Sequence, residues 1–331
     1  MEQNVNNIQL LPDDMEMATD AEKQQQVVMR PSTTYWRDAW RRLKRNRVAI
    51  VALYVLIAIT LCSIIIPMVS PFTYDQQLRD ETRQPPSMRH PLGTDQHGRD
   101  VLVRLMMGTR ISMLVGLVSA LLVLIIGATY GGIAAYFGGT VDMIMMRIVD
   151  TLMAVPSMLM IIIISIALHE PIKALLGQGG WFASILRAGS GLISIFAIFA
   201  LMYWAGMARQ VRGALMSVGE QEYVLAAKSM GASPMRIIFK HMIPNGIGTI
   251  MIATTFQVPG AIFTESFLSF IGLGVSVPMA SLGSMASAAL NGMQSYPYLL
   301  VFPAVMLSLI ILSFNLLGDG LRDALDPRLR M

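Results

Sequence analysis

The chain has 331 residues, of which 54% are hydrophobic and only 14% charged, with a mean hydropathy of +0.56. Soluble globular domains carry about a quarter charged residues, so this composition excludes an ordinary water-soluble fold and points to a bilayer. The single cysteine, Cys62, excludes an internal disulfide framework, and no Cys/His cluster has metal-ligand spacing. The net charge of +4 does not indicate nucleic acid, because the basic residues flank apolar runs as membrane topology requires.

Residues 1–47 are polar and lack the apolar core of a signal peptide. The tract before Pro31, with Gln24, Gln25 and Gln26, reads as disordered, and Arg37, Arg41, Arg42, Lys44, Arg45 and Arg47 follow as a basic cluster. A helix crosses a bilayer with about 20 mostly apolar residues. Six stretches qualify: 48–69, 111–136, 143–168, 191–208, 246–273 and 297–317. The expected class is an all-α polytopic membrane protein with six transmembrane helices. If the basic cluster stays cytoplasmic, both termini and loop 219–245 lie inside and loop 70–110 outside. That orientation places roughly two-thirds of the Lys and Arg residues inside, as the positive-inside rule requires. The expected organisation is a cytoplasmic extension (1–47), a first transmembrane helix (48–69), an extracytoplasmic loop (70–110), a transmembrane core (111–318) and a cytoplasmic tail (319–331).

Asp100 and Arg104 stand at helical i, i+4 spacing, so the end of the outer loop is expected to start an amphipathic helix leading into the second span. His90 and His97, with no third partner, read as solvated loop residues rather than metal ligands. Gly116, Gly127, Gly131, Gly132, Ala134 and Ala135 allow close helix approach within lipid. Arg147 and Asp150, at i, i+3, read as a structural ion pair.

Residues 222–245 form a polar, helix-forming island between two apolar runs. Tyr223, Ala226, Ala227 and Met230 fall on one helical face, rimmed by Glu222 and Lys228. Gly231 is expected to end that helix in a left-handed conformation. Ser233-Pro234 starts another, and Pro244 limits it. Such an elbow offers a face that another protein can grip; the pattern alone equally describes an amphipathic loop on the membrane surface.

Downstream, Glu265 lies deep in the fifth apolar run and must face protein or a water-filled cavity. With Gln257, Thr264, Ser266 and Ser269 it forms a polar line that either borders a pathway or fixes helix packing. Residues 274–295, rich in Gly, Ser and Ala and free of charge, suggest irregular or re-entrant backbone sheltered by protein.

The elbow, with Ala226-Ala227, Gly231, Ile243 and Pro244, resembles the "EAA" cytoplasmic loop of ABC-importer permeases. Three further stretches strengthen the resemblance: His90–Arg104, Phe263–Gly274 and Asn315–Arg328. They are similar to the signatures of the C-type permease subunit of dipeptide, oligopeptide and nickel ABC importers. The loop start Phe72-Thr-Tyr-Asp75 and the long amino-terminal extension are most similar to oligopeptide permeases.

The resemblance implies a type I ABC-importer permease fold in a prokaryotic cell membrane, forming half of a peptide pathway. The implied partners are a homologous B-type permease, two ATPase subunits that hold ATP and Mg, and an extracytoplasmic substrate-binding protein. Glu222, Tyr223, Ala226, Ala227, Lys228, Gly231 and Pro244 would form the ATPase-coupling loop. Leu225 stands where the motif's name has Glu, and Glu222 lies one turn earlier.

The chain has no Gly-Lys dipeptide and hence no P-loop, so no enzyme activity, cofactor or metal is expected in it. Alternatives are a nickel or small-solute ABC importer and, more distantly, a secondary transporter, which would need repeated halves and more buried ionisable groups. A membrane enzyme such as an intramembrane hydrolase is disfavoured, because His169-Glu170 is followed by Pro171-Ile172-Lys173 rather than completing HExxH, and no paired intramembrane aspartates appear.

Overall fold

The computed structural model describes residues 35–177, 190–275 and 279–325. The expected disorder before Pro31 and the last residues of the tail lie outside that range. The chain divides into two units, Met1–Asp38 and Ala39–Met331. Among the described residues there is no strand, only an isolated bridge between Thr94 and Asp100.

The helices in chain order are α1 (Tyr35–Leu43), α2 (Arg47–Val69), α3 (Val101–Phe137), α4 (Gly139–Ala154), α5 (Ser157–Gly177), α6 (Ser190–Ile198) and α7 (Trp204–Gly219). After them come α8 (Glu222–Ser229), α9 (Pro234–Ile237), α10 (Ile243–Asn245), α11 (Ile247–Phe270), α12 (Leu282–Ala289) and α13 (Tyr298–Leu325). Among the described residues five spans are continuous and apolar enough to cross a membrane: α2, α3, Gly191–Gly219, α11 and α13.

The expected third span is not straight. Gly139–Ala154 and Ser157–Leu168 are bent by 86°. Pro156 follows Val155, which is extended at φ −84° and ψ 135°, the region into which a following proline drives its predecessor. The fourth span is longer than the expected 191–208. It passes through a π-helical turn at Phe199–Tyr203 and continues to Gly219. Arg209 and Arg212 do not end it, because Asp150 and Asp142 of α4 neutralise them. Asp150 therefore pairs across helices with Arg209, not along its own helix with Arg147. The second span begins earlier than expected, at Val101, where the Asp100 side chain accepts from the Val103 N–H at 2.8 Å.

Helix α3 is the spine. Ile111, Val115, Val123 and Ala128 pack into one apolar core with α5–α7, the elbow and α11. Leu105, Met106, Met113 and Ala120 join a second core with α2, α11, α12 and α13. Close approach depends on absent side chains: a Cβ at Gly131 would sit 2.4 Å from the Ala208 carbonyl oxygen. Exposed side chains on the outer faces are apolar, including Val51, Leu61 and Ile65 of α2 and Val305 and Leu312 of α13. That surface suits hydrocarbon rather than water. The stretch expected to be irregular contains α12, opened by a reciprocal capping box between Ser281 and Ser284.

Candidate functional site

The elbow folds through its corner. Gly231 has φ +78°, and Met230 ends the preceding helix. The Gly231 N–H donates to the Lys228 carbonyl at 3.0 Å, and the Ala232 N–H donates to the Ala227 carbonyl at 3.1 Å. These are the two bonds of a Schellman cap, which satisfies the last carbonyls of α8. Ser233 stands at the start of α9 with Pro234 next, but its hydroxyl makes no capping bond. Nor does Pro244 push its neighbour out of the helical region. Ile243 stays helical at φ −57° and ψ −46°, and a π-helical turn at Ile238–Met242 shifts the bonding register ahead of the proline.

The expected face splits in two. Val224 and Ala227 are buried and pack into the core with Ile237, Ile238 and Met242. Tyr223, Leu225, Ala226 and Met230 are exposed, with Glu222 beside them. Ala227 is therefore an anchor within the chain, and Leu225 belongs to the outer surface. Lys228 places its ammonium 4.7 Å from the ring centroid of Tyr136, near the end of α3. The sequence carries no local sign of that contact. The outcome is a knuckle with one side rooted in the core and the other presenting an apolar patch edged by charge.

The second cluster surrounds Glu265, which is fully buried. Ser112 of α3 donates to its Oε2 at 2.7 Å, Ser269 donates to Oε1 at 2.7 Å, and Ser266 donates to Oε2 at 3.3 Å. The Val275 N–H in turn donates to Ser269 Oγ at 2.9 Å, and Thr264 bonds Tyr203 at 2.8 Å. Gln257, half-buried two turns earlier, stands outside this network. Backbones close tightly around it: a Cβ at Gly283 would lie 2.0 Å from the Ser266 carbonyl oxygen. These bonds join α3, α11, Val275 and the start of α12, which supports the packing reading of the two left open by the sequence. Ser112 is 153 positions away in sequence and could not be paired with Glu265 by spacing.

A third polar centre lies in the 70–100 loop. His90 is buried; its Nδ1 lies 2.8 Å from Asp100 Oδ2 and its Nε2 lies 2.9 Å from Glu81 Oε2. It is thus not a solvated loop residue, whereas His97 is exposed. The two carboxylates bonded to His90 sit on opposite ring nitrogens, and among the described residues no group of three His, Cys, Asp or Glu side chains could hold a metal ion. Replacing His90 with alanine leaves two carboxylates without their shared partner. The expected cost is about 2 kcal/mol, or on the order of thirtyfold more frequent opening of the loop. Limited proteolysis between Ser70 and Asp100 reads this directly; unchanged cleavage rates would show that the bridge contributes nothing.

Apolar helices long enough to cross a membrane, a polar knuckle rooted in their core and a buried carboxylate held by serines define a polytopic helical membrane protein. Residues 124–331 match the family described as "Binding-protein-dependent transport system inner membrane component", and residues 34–86 match the "N-terminal TM domain of oligopeptide transport permease C". The chain belongs to the family of binding-protein-dependent transport permeases. It is 42% identical over 313 residues to an oligopeptide transport system permease protein of Bacillus subtilis, covering 95% of each chain. It is 43% identical to a dipeptide transport system permease protein of the same organism over 92% of this chain and 89% of that one. Among solved structures, an inward-facing methionine ABC transporter shares the fold at a TM-score of 0.52 and 18% identity, over 68% of this chain and 96% of that one.

Proposed function

We propose that the chain is the permease subunit of an ATP-driven peptide importer, forming half of the translocation pathway. Its relatives' peptide substrates support the substrate class, and the knuckle carries the coupling reading. An exposed apolar patch on a core-rooted corner is a surface for a protein partner. Movement of that partner reaches α7 and α11 through Val224, Ala227, Ile238 and Met242 without loss in a flexible linker. The partners are two ATPase subunits, which hold ATP and Mg, a B-type permease and an extracytoplasmic substrate-binding protein. The basic residues Arg37 to Arg47 orient both termini and the knuckle toward the cytoplasm.

The test is purification of the chain from native membrane with whatever stays bound, followed by uptake in sealed vesicles. A second permease and P-loop ATPases in the complex, with ATP-dependent uptake of labelled tri-alanine, are the expected result. Nickel uptake without peptide uptake would move the substrate to the small-solute alternative. Transport by the chain alone, without ATP, would end the importer reading.

A further inference from the structure

The end of the bundle that carries residues 70–100 holds a feature that neither the knuckle nor Glu265 uses. A half-open cleft with a cavity volume of about 40 Å³ is lined by Arg83, Arg99 and Arg104 with Asp95, and walled by Met285 and Leu299. Arg99 and Arg104 are each only 6% exposed. One carboxylate serves both: Arg99 Nε donates to Asp95 Oδ2 at 2.7 Å, and Arg104 Nε lies 3.6 Å from the same oxygen. Arg104 Nη1 also donates to the Tyr74 carbonyl at 2.9 Å. A guanidinium has five N–H donors, so most of those on Arg99 and Arg104 have no protein acceptor among the described residues.

Two of the neighbouring carboxylates are committed elsewhere, and a third adds a negative charge near Arg104. Glu81 and Asp100 hold His90, and Asp75, near Arg104, is exposed and accepts from the Thr73 hydroxyl. The third cation sits on unusual backbone. Among the described residues, Arg83 is the one non-glycine with positive φ, at +52°. Its N–H donates to the Asp95 carbonyl at 3.0 Å, and its guanidinium lies 5.5 Å from the centroid of the Tyr296 ring. Left-handed backbone costs a residue with a Cβ about 1 kcal/mol and persists where its surroundings over-determine it.

Arg99 and Arg104 therefore share the Asp95 carboxylate, with Arg83 lining the same cleft, and most N–H donors of the two buried guanidiniums are left for a further anion. We propose that this cleft binds a carboxylate, and that its ligand is the C-terminal residue of a short peptide. The guanidinium fork matches a carboxylate with two parallel hydrogen bonds. The wall of Met285 and Leu299 beside it receives an aliphatic stem, which a bare inorganic anion does not have. The burial of Arg99 and Arg104 favours a slender chain end over a side chain standing on a folded surface. The carboxylate chemistry stands by itself, while the peptide assignment rests on the import reading above.

Calorimetric titration of the purified full chain in detergent, at constant ionic strength, tests this with tri-alanine, tri-alanine amide and inorganic phosphate. Tri-alanine is expected to bind saturably, and at least tenfold more tightly than either of the others. Arg83→Gln, at an exposed position, should weaken tri-alanine about tenfold, and Arg83→Lys should recover part of the loss, as expected for one charge-assisted contact. Equal binding of the peptide and its amide would overturn the proposal, as would unaltered affinity in Arg83→Gln. If Arg83→Gln fails to fold, Arg104→Lys, which keeps the charge and loses the fork, must weaken tri-alanine or the proposal falls. Vesicle uptake separates the two readings: import of both peptides without selective binding defeats the cleft alone, and selective binding without import defeats the importer alone.

Discussion

Replacing Gly231 with valine is expected to abolish transport while leaving the chain inserted in the membrane. A Cβ at this position meets nothing within 4 Å, so the effect cannot come from a clash with a neighbour. It comes from the backbone. At φ +78° a β-branched residue loses about 1–2 kcal/mol or more relative to glycine. The chain can avoid that cost by unwinding the corner, which breaks the bonds from Gly231 to Lys228 and from Ala232 to Ala227. The apolar spans do not depend on those bonds, so insertion and protein level should match wild type. The knuckle would lose its fixed angle, and ATP-driven uptake should drop at least tenfold. Gly231→Asn is the control, since asparagine tolerates the left-handed region; it should retain most of the transport. Equal uptake in the valine variant, or equal loss in both variants, would defeat the coupling argument.

The corner was legible in the sequence because its determinants are local: good helix formers, then glycine, then a Ser-Pro restart. Its outer surface was less so. A helical repeat finds a stripe, but Tyr223, Ala226 and Met230 face outward while Ala227 turns in with Val224, and that division is set by Ile237, Ile238 and Met242 packing beneath. The bend in the third span is a different case. Hydropathy sums apolarity over a window and gives no weight to the backbone restriction that Pro156 places on Val155. The fourth span was cut short for the same kind of reason. Arg209 and Arg212 look like an interface until Asp150 and Asp142 are seen across the gap, 59 and 70 positions away. Long-range polar pairs were in general not readable, and His90 shows this most clearly. Its partners Glu81 and Asp100 lie nine and ten residues to either side, joined by loop geometry that spacing does not encode.

Glu265→Leu tests the packing reading in the membrane core. The substitution keeps side-chain bulk and removes the acceptor for Ser112, Ser269 and Ser266 at once. Each hydroxyl left without a partner costs about 1–3 kcal/mol, although a hydroxyl on a helix can recover part of this by turning to its own backbone. Several kcal/mol should therefore be lost, and the thermal midpoint of the detergent-purified chain should fall well outside experimental error. Glu265→Gln keeps one carbonyl oxygen and should lose less. Ser112→Ala combined with Glu265→Leu should cost clearly less than the sum of the two alone, because the pair shares one interaction. A residue that lined an open pathway would behave in the opposite way. Its leucine variant would fold with wild-type stability and change the rate or range of transport. The packing around Glu265 leaves little room for that outcome: the Ser266 carbonyl already lies against Gly283, and Val275 is bonded to Ser269. The intramembrane carboxylate and its serines thus tie α3 to α11, Val275 and the start of α12.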